Sequence, residues 1–157
     1  MLFRSCRVII DHAVGKWVAH TASVSHYNPF LSQSIGLVRD EKIVAGTIYT
    51  DYNGTSMVCH IAAEGPINAE FMYKICDYPF NQCKVNKVIG PVNSSNEKCI
   101  RFVKKMGFKE EARIKDAFND GDMIFFTLVK EDCKFLGERY GKKCNPAPDA
   151  ELSAVGC

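Results

Sequence analysis

The chain has 157 residues, with 20 Lys plus Arg against 18 Asp plus Glu, a net charge of +2, 46% hydrophobic residues and 24% charged. That is the composition of an ordinary globular protein, long enough to bury one core without disulfide staples. The small net charge and the lack of any long like-charge block give no support to nucleic-acid binding, and no apolar run approaches the ~18 residues of a membrane span.

In chain order, residues 7–10 read as a strand and residues 12–22 as a helix around Trp17. Residues 34–39 and 43–52 are rich in β-branched and aromatic side chains and read as two antiparallel strands. Asn53-Gly54 then predicts a tight two-residue turn into a third strand over 56–63. After Gly65-Pro66 the period changes. Phe71, Met72, Ile75 and Cys76 fall at helical spacing behind Asn68, a good N-cap, and Pro79 is expected to end that helix. Residues 87–92 form a short apolar strand, and Asn96 opens a second amphipathic helix that closes at Gly107. A last hairpin over 110–130 turns at Asn119-Asp120-Gly121. The order β-α-β-β-β-α-β-α-β-β implies an α/β (α+β layer) fold, a mixed sheet with helices on its faces. Residues 1–136 read as one domain, and 137–157, with Gly, Pro and Lys but no period, as a flexible tail.

The eight cysteines are widely spread and contain no C-x-x-C pair, so neither a zinc site nor any other metal site is implied. No secretory signal is visible at the N-terminus, which points to a reducing cytoplasm with the cysteines as free thiols, Cys59, Cys76 and Cys99 among them at core positions. Asp116, Asp120 and Asp122 lack the spacing and closing glutamate of a calcium loop. Cys59 and His60 are strand neighbours on opposite faces, so they cannot form a nucleophile–base pair.

The segment NEKCIRFVKKMGFKEE, residues 96–111, resembles the second cofactor-side motif of the GCN5-related N-acetyltransferase (GNAT) superfamily, and the element order agrees. DYPFNQ (77–82), RIKDAFNDGD (113–122) and EDCKFL (131–136) are similar to a group of phage and prophage proteins labelled as GNAT acetyltransferases, and the chain also resembles a head-assembly protein of short-tailed bacteriophages. The resemblance implies a GNAT-like, mostly antiparallel sheet of six or seven strands, with acetyl-CoA as cosubstrate in a cleft between the splayed fourth and fifth strands. It implies a cofactor site at Ile61, Ala62, Ala63, Gly65, Asn68 and Asn96, and His60 or Glu64 as the base that deprotonates an acceptor amine.

The chain departs from the family where the chemistry is concentrated. The pyrophosphate turn of the family, Q/R-x-x-G-x-G/A, is here Ala62-Ala-Glu-Gly-Pro-Ile-Asn68: no Gln or Arg leads it, Glu64 adds a negative charge, and Pro66 removes an amide donor. The family's tyrosine acid, four residues before the closing glycine, is Val103. Lys98, Arg101 and Lys105 share a spacing that would suit the 3′-phosphate of CoA. Two functions stand side by side: an acyl-CoA-dependent N-acetyltransferase, and a non-enzymatic component of a phage head. The second places the protein in the cytoplasm of a bacterial host or in the virion, with protein partners in the head or portal.

Overall fold

A computed structural model describes residues 5–137, Tyr140 and the backbone of residues 155–156. The strands are β1 (Cys6–Ile9), β2 (Gln33–Arg39), β3 (Lys42–Thr50), β4 (Ser56–Ala63), β5 (Lys87–Asn93), β6 (Lys109–Phe118), β7 (Gly121–Leu128) and β8 (Val155–Gly156). The α-helices are α1 (His12–Thr21), α2 (Ala69–Asp77) and α3 (Glu97–Met106). Seven strands make one sheet in the order β1-β2-β3-β4-β5-β7-β6, antiparallel except for the parallel β4–β5 pair, and β8 pairs with β4. This is the mixed, mostly antiparallel sheet that the sequence implies. Of the expected tail, residues 138–139, 141–154 and 157 lie outside the described residues, whereas Val155 and Gly156 belong to a strand.

Alternation along the strands divides two cores between the faces of the sheet. On one face, Ile61 and Ala63 of β4 join Phe71, Met72 and Ile75 of α2 and Cys99, Phe102 and Val103 of α3. On the other, Ile48 and Ala62 meet Val14 and Val18 of α1. Gly36 and Gly46, opposite each other in β2 and β3, allow this second contact: a Cβ would stand 2.5 Å from a Val14 methyl at Gly36 and 2.6 Å from a Val18 methyl at Gly46. Among the described residues no helix is long and apolar enough to cross a membrane.

Three local expectations change. The β3–β4 connection is five residues, not two, because the Asn53 side chain accepts from the amides of Thr55 (2.9 Å) and Ser56 (2.8 Å), and positive φ falls at Asp51 and Gly54. Pro79 ends α2 but not the helical backbone, which continues as a π-turn over Tyr78–Gln82 with the Cys83 amide bonded to the Tyr78 carbonyl at 2.9 Å. Since Pro79 has no amide to offer the Ile75 carbonyl, the Tyr49 hydroxyl on β3 donates to it instead. Gly121 begins β7 rather than supplying a turn conformation; it is small because a Cβ would lie 2.5 Å from the Ser94 hydroxyl. Gly107 does close α3 with φ 111°, as its position predicts.

Candidate active-site cleft

β4 and β5 pair at three positions only, Ser56↔Lys87, Met57↔Val88 and Val58↔Ile89. Beyond them β4 stays with β3 as far as Ala45↔Ala63, while β5 stays with β7 as far as Asn93↔Met123, so the two strands part just before His60. The sequence carries a mark of this parting in Pro91. A strand interior to a sheet rarely tolerates a residue without an amide, and β5 does so where its β4-facing edge has been released.

The mouth of the splay opens into a cleft of about 970 Å³ on the α1 side, walled by the loop after α1, by Asp51, Tyr52 and His60, and by Asn93 and Asn96. Its far wall is held in place by Asp120, whose carboxylate accepts from the Asn93 amide (2.7 Å) and the Ser95 hydroxyl (2.9 Å), tying the β6–β7 turn to the β5–α3 loop. These bonds hold the Asp120 carboxyl below its ordinary range. Phe30 and Leu31 stand exposed nearby, and Leu31 lines the cleft.

His60 lies opposite Ile48 across the β3–β4 pair, not opposite Tyr49, which faces Cys59. Its side chain therefore shares the α1 face with Ile48 and Ala62 and reaches the cleft. Burial lowers its pKa below the ordinary 6.5, and the nearby Asp51 carboxylate offsets only part of that. At neutral pH the imidazole is uncharged and able to take a proton. Among the described residues no three His, Cys, Asp or Glu side chains converge to hold a metal ion.

No protein-family model matches the chain, and no curated protein matches it in sequence. Solved structures do resemble it. The Campylobacter jejuni N-acetyltransferase PseH in complex with acetyl coenzyme A superposes with a TM-score of 0.52 at 20% identity, over 63% of this chain and 68% of that one. Spermidine N-acetyltransferase from Vibrio cholerae in complex with CoA and spermine gives 0.63 at 12% identity, over 85% and 98%. The Vibrio cholerae SpeG N152L mutant gives 0.62 at 11%, over 87% and 98%. The fold is that of N-acetyltransferases.

The remaining sequence-predicted site residues are distributed unevenly around this frame. Ile61, Ala62 and Ala63 have buried side chains, so they offer a ligand only their backbone along the β4 edge. At Ala62 and Ala63 that edge is met by β8, which shows that the splay accepts an extended, amide-bearing chain. Gly65 is half-buried with no close neighbour for a Cβ, so its turn has room. Asn68 is committed to the fold: its carbonyl oxygen caps α2 at the Phe71 amide (2.9 Å) and its amide donates to the Cys6 sulfur (3.4 Å). Asn96 caps α3 through the Cys99 amide (3.1 Å) and also lines the cleft.

Glu64 is exposed, does not line the cleft, and gives its amide to the Val44 carbonyl at 2.8 Å. Glu64 and His60 are thus not brought together, and the turn loses two amides, one to Val44 and one to Pro66. Val103 is buried among core side chains and supplies no proton. Tyr73 bonds to Asp77, and Tyr78 stands against Tyr49 with ring centres 5.1 Å apart, so neither lines the cleft. Of the three α3 cations, Arg101 pairs with Glu97 at 3.6 Å on the solvent face. Asp51, with φ 54°, lies in the β3–β4 connection beside the imidazole, and no motif in the sequence marks it.

One expectation about the cysteines fails. Cys6, Cys59, Cys76, Cys83 and Cys133 are free, but Cys99 is disulfide-bonded. Wide spacing in the sequence does not prevent two cysteines from meeting in the fold.

Proposed function

We propose that the protein transfers an acyl group, acetyl in the first instance, from acyl-CoA to an amine. The observation that carries this reading is His60 on β4, beside the parting of β4 and β5 and turned into an open cleft, with burial lowering its pKa. Acetyl-CoA supplies a thioester whose acyl carbon an amine can attack. An ammonium group has no lone pair, so the acceptor must first lose a proton, and a neutral imidazole at the cleft wall accepts it. Asp51 then faces the imidazolium that forms and stabilises it.

His60 is favoured over Glu64 because only His60 lines the cleft. In this reading the backbone of Ile61, Ala62 and Ala63 takes the extended arm of the cofactor, and the turn at Gly65 and Asn68 faces its pyrophosphate. Asn96 stands on the cleft side of α3, and the acceptor enters past the loop after α1.

The second reading, a structural component of a phage head acting on protein partners of the head or portal, is favoured by a separate observation. Glu64, Pro66 and Val103 stand where the chemistry of the family is concentrated. Such a protein would work in the cytoplasm of a bacterial host or in the virion, without contact to nucleic acid or membrane. Calorimetry with acetyl-CoA on the reduced protein separates the two. Saturation at ~100 times the dissociation constant should stabilise the fold by about 2.7 kcal/mol, and acetylation of an amine panel should follow. No heat and no thermal shift at millimolar acetyl-CoA would leave only the assembly reading.

A further inference from the structure

Six large apolar side chains stand exposed among the described residues, and three of them, Leu31 (76% exposed), Tyr52 (59%) and Phe118 (38%), line the cleft that His60 faces. They come from three separate parts of the chain: the loop after α1, the β3–β4 connection and the end of β6. Half-buried Met123 of β7 adds a fourth apolar group. Scattered exposed apolar residues need no explanation, but the convergence of several on one concavity marks a surface that a ligand covers. Leu31 is presented by a built loop. The Asn28 side-chain oxygen accepts from the Phe30 amide (2.9 Å), and the Asn28 carbonyl accepts from the Leu31 amide (3.1 Å) and the Ser32 hydroxyl (2.7 Å). Phe118 is fixed across the hairpin by its pairing with Gly121.

Charge in the same cleft is sparse. Among the described residues that line it, Asp51 is the one carboxylate, no lysine or arginine takes part, and the other titratable groups are Tyr52, His26 and His60. Asp120, nearby, is committed to Asn93 and Ser95. Asp51 lies beside His60 and accepts from the Thr50 hydroxyl at 2.7 Å through one oxygen, Oδ2. One carboxylate holds one ammonium group. A polyamine would carry further ammonium groups along walls without a counter-charge, and an acceptor bearing a carboxylate or phosphate would find no cation.

We propose that the acceptor is a primary monoamine with an apolar, ring-sized body: its ammonium meets Asp51 and His60, and its body lies against Leu31, Tyr52 and Phe118. This rests on the acyltransferase reading and names its acceptor. The ammonium gives one proton to His60, and the freed lone pair forms a bond to the acyl carbon. The carbon–sulfur bond then breaks, the nitrogen's second proton ends on the departing thiolate, and His60 returns its own proton to water.

Initial rates on the full chain with saturating acetyl-CoA should compare four acceptors: phenethylamine, ethanolamine, spermidine and phenylalanine. kcat/KM for phenethylamine should exceed each of the others by at least ~10-fold, the discrimination that burial of one ring provides. Leu31→Ser and, separately, Phe118→Ser replace exposed side chains, and each should cut the preference over ethanolamine at least ~3-fold, through KM rather than kcat. Spermidine or phenylalanine used as well as phenethylamine would overturn the monoamine assignment, and ethanolamine used as well would overturn the apolar body. In each of those cases acetyl transfer, and with it the acyltransferase reading, stands. A preference unmoved in both variants would likewise overturn the placement of the body. If acetyl passes to none of the four, the acyltransferase reading falls and the acceptor with it.

Discussion

Replacing Tyr49 by Phe removes a single oxygen, and the structure says what that oxygen does. Pro79 cannot bond the Ile75 carbonyl from within the helix, so the Tyr49 hydroxyl does so from β3. Tyr49 is 5% exposed, and burial raises its pKa well above 10, so the hydroxyl keeps its proton at any working pH. Tyr49→Phe preserves the ring beside Tyr78 but strands a buried carbonyl, a loss of about 1–3 kcal/mol. For a chain of this size about 2 kcal/mol corresponds to a melting temperature lower by roughly 4–8 °C. Pro79→Ala restores an amide that can reach Ile75, so in that background Tyr49→Phe should be milder by about 1 kcal/mol. Differential scanning calorimetry and urea unfolding of the four proteins measure the cycle. A Tyr49→Phe loss below about 0.5 kcal/mol, or strict additivity with Pro79→Ala, would refute the compensation.

His60→Gln should lower acetyl transfer by about 10²–10⁴ with little effect on stability, and the wild-type rate should keep its acid limb below pH 6.5 because the folded imidazole titrates lower. The same shift has a sign in stability. The unfolded chain binds a proton at His60 as pH falls through 6.5 while the folded chain does not, so stability present above 6.5 is lost toward the lower folded pKa, and thermal melts of His60→Gln should lack that part of the acid loss. Gly107→Ala should destabilise by at least about 2 kcal/mol in urea unfolding, because φ is 111° and a Cβ would stand 2.1 Å from the Asp132 carbonyl oxygen. Cys133, whose sulfur accepts a hydrogen bond from the Cys76 thiol and whose pKa falls to about 7 for that reason, should be alkylated at neutral pH long before Cys59, which burial pushes up to about 12; mass spectrometry of a labelling time course reads the order.

Much of the fold was legible because the periods are clean. Phe71, Met72, Ile75 and Cys76 mark the buried face of α2, and Asn68 and Asn96 each cap the helix they precede. Where the reading failed, a side chain had replaced a backbone rule. Asn53 closes its turn with a side-chain oxygen, which dipeptide statistics for two-residue turns do not contain. The short β8 has no period to detect, since two residues cannot show alternation. The Cys99 disulfide depends on long-range approach, about which spacing is silent. The splay could have been found from Pro91, an amide-free residue in a strand that otherwise reads as interior.

The length of the β3–β4 connection decides which face of the sheet carries His60. A two-residue turn at Asn53-Gly54 would set Thr47 opposite His60, and residues opposite each other in an antiparallel pair share a face. Thr47 faces α2 and α3, beside Tyr49, Cys59 and Ile61, so His60 would be sunk among core side chains and Cys59 would turn toward α1. With five residues in the connection the register moves by one, Ile48 pairs with His60, and the imidazole emerges on the α1 side at the cleft. The Asn53 side chain that enforces the longer turn therefore sets which face of β4 carries His60 and which carries Cys59 and Ile61. Asp51, in the left-handed conformation within the same connection, then lies close enough to bias the imidazole. One turn thus fixes the face of His60 and its electrostatic neighbour, which is why their placement cannot be read from the spacing of His60 and Glu64 alone.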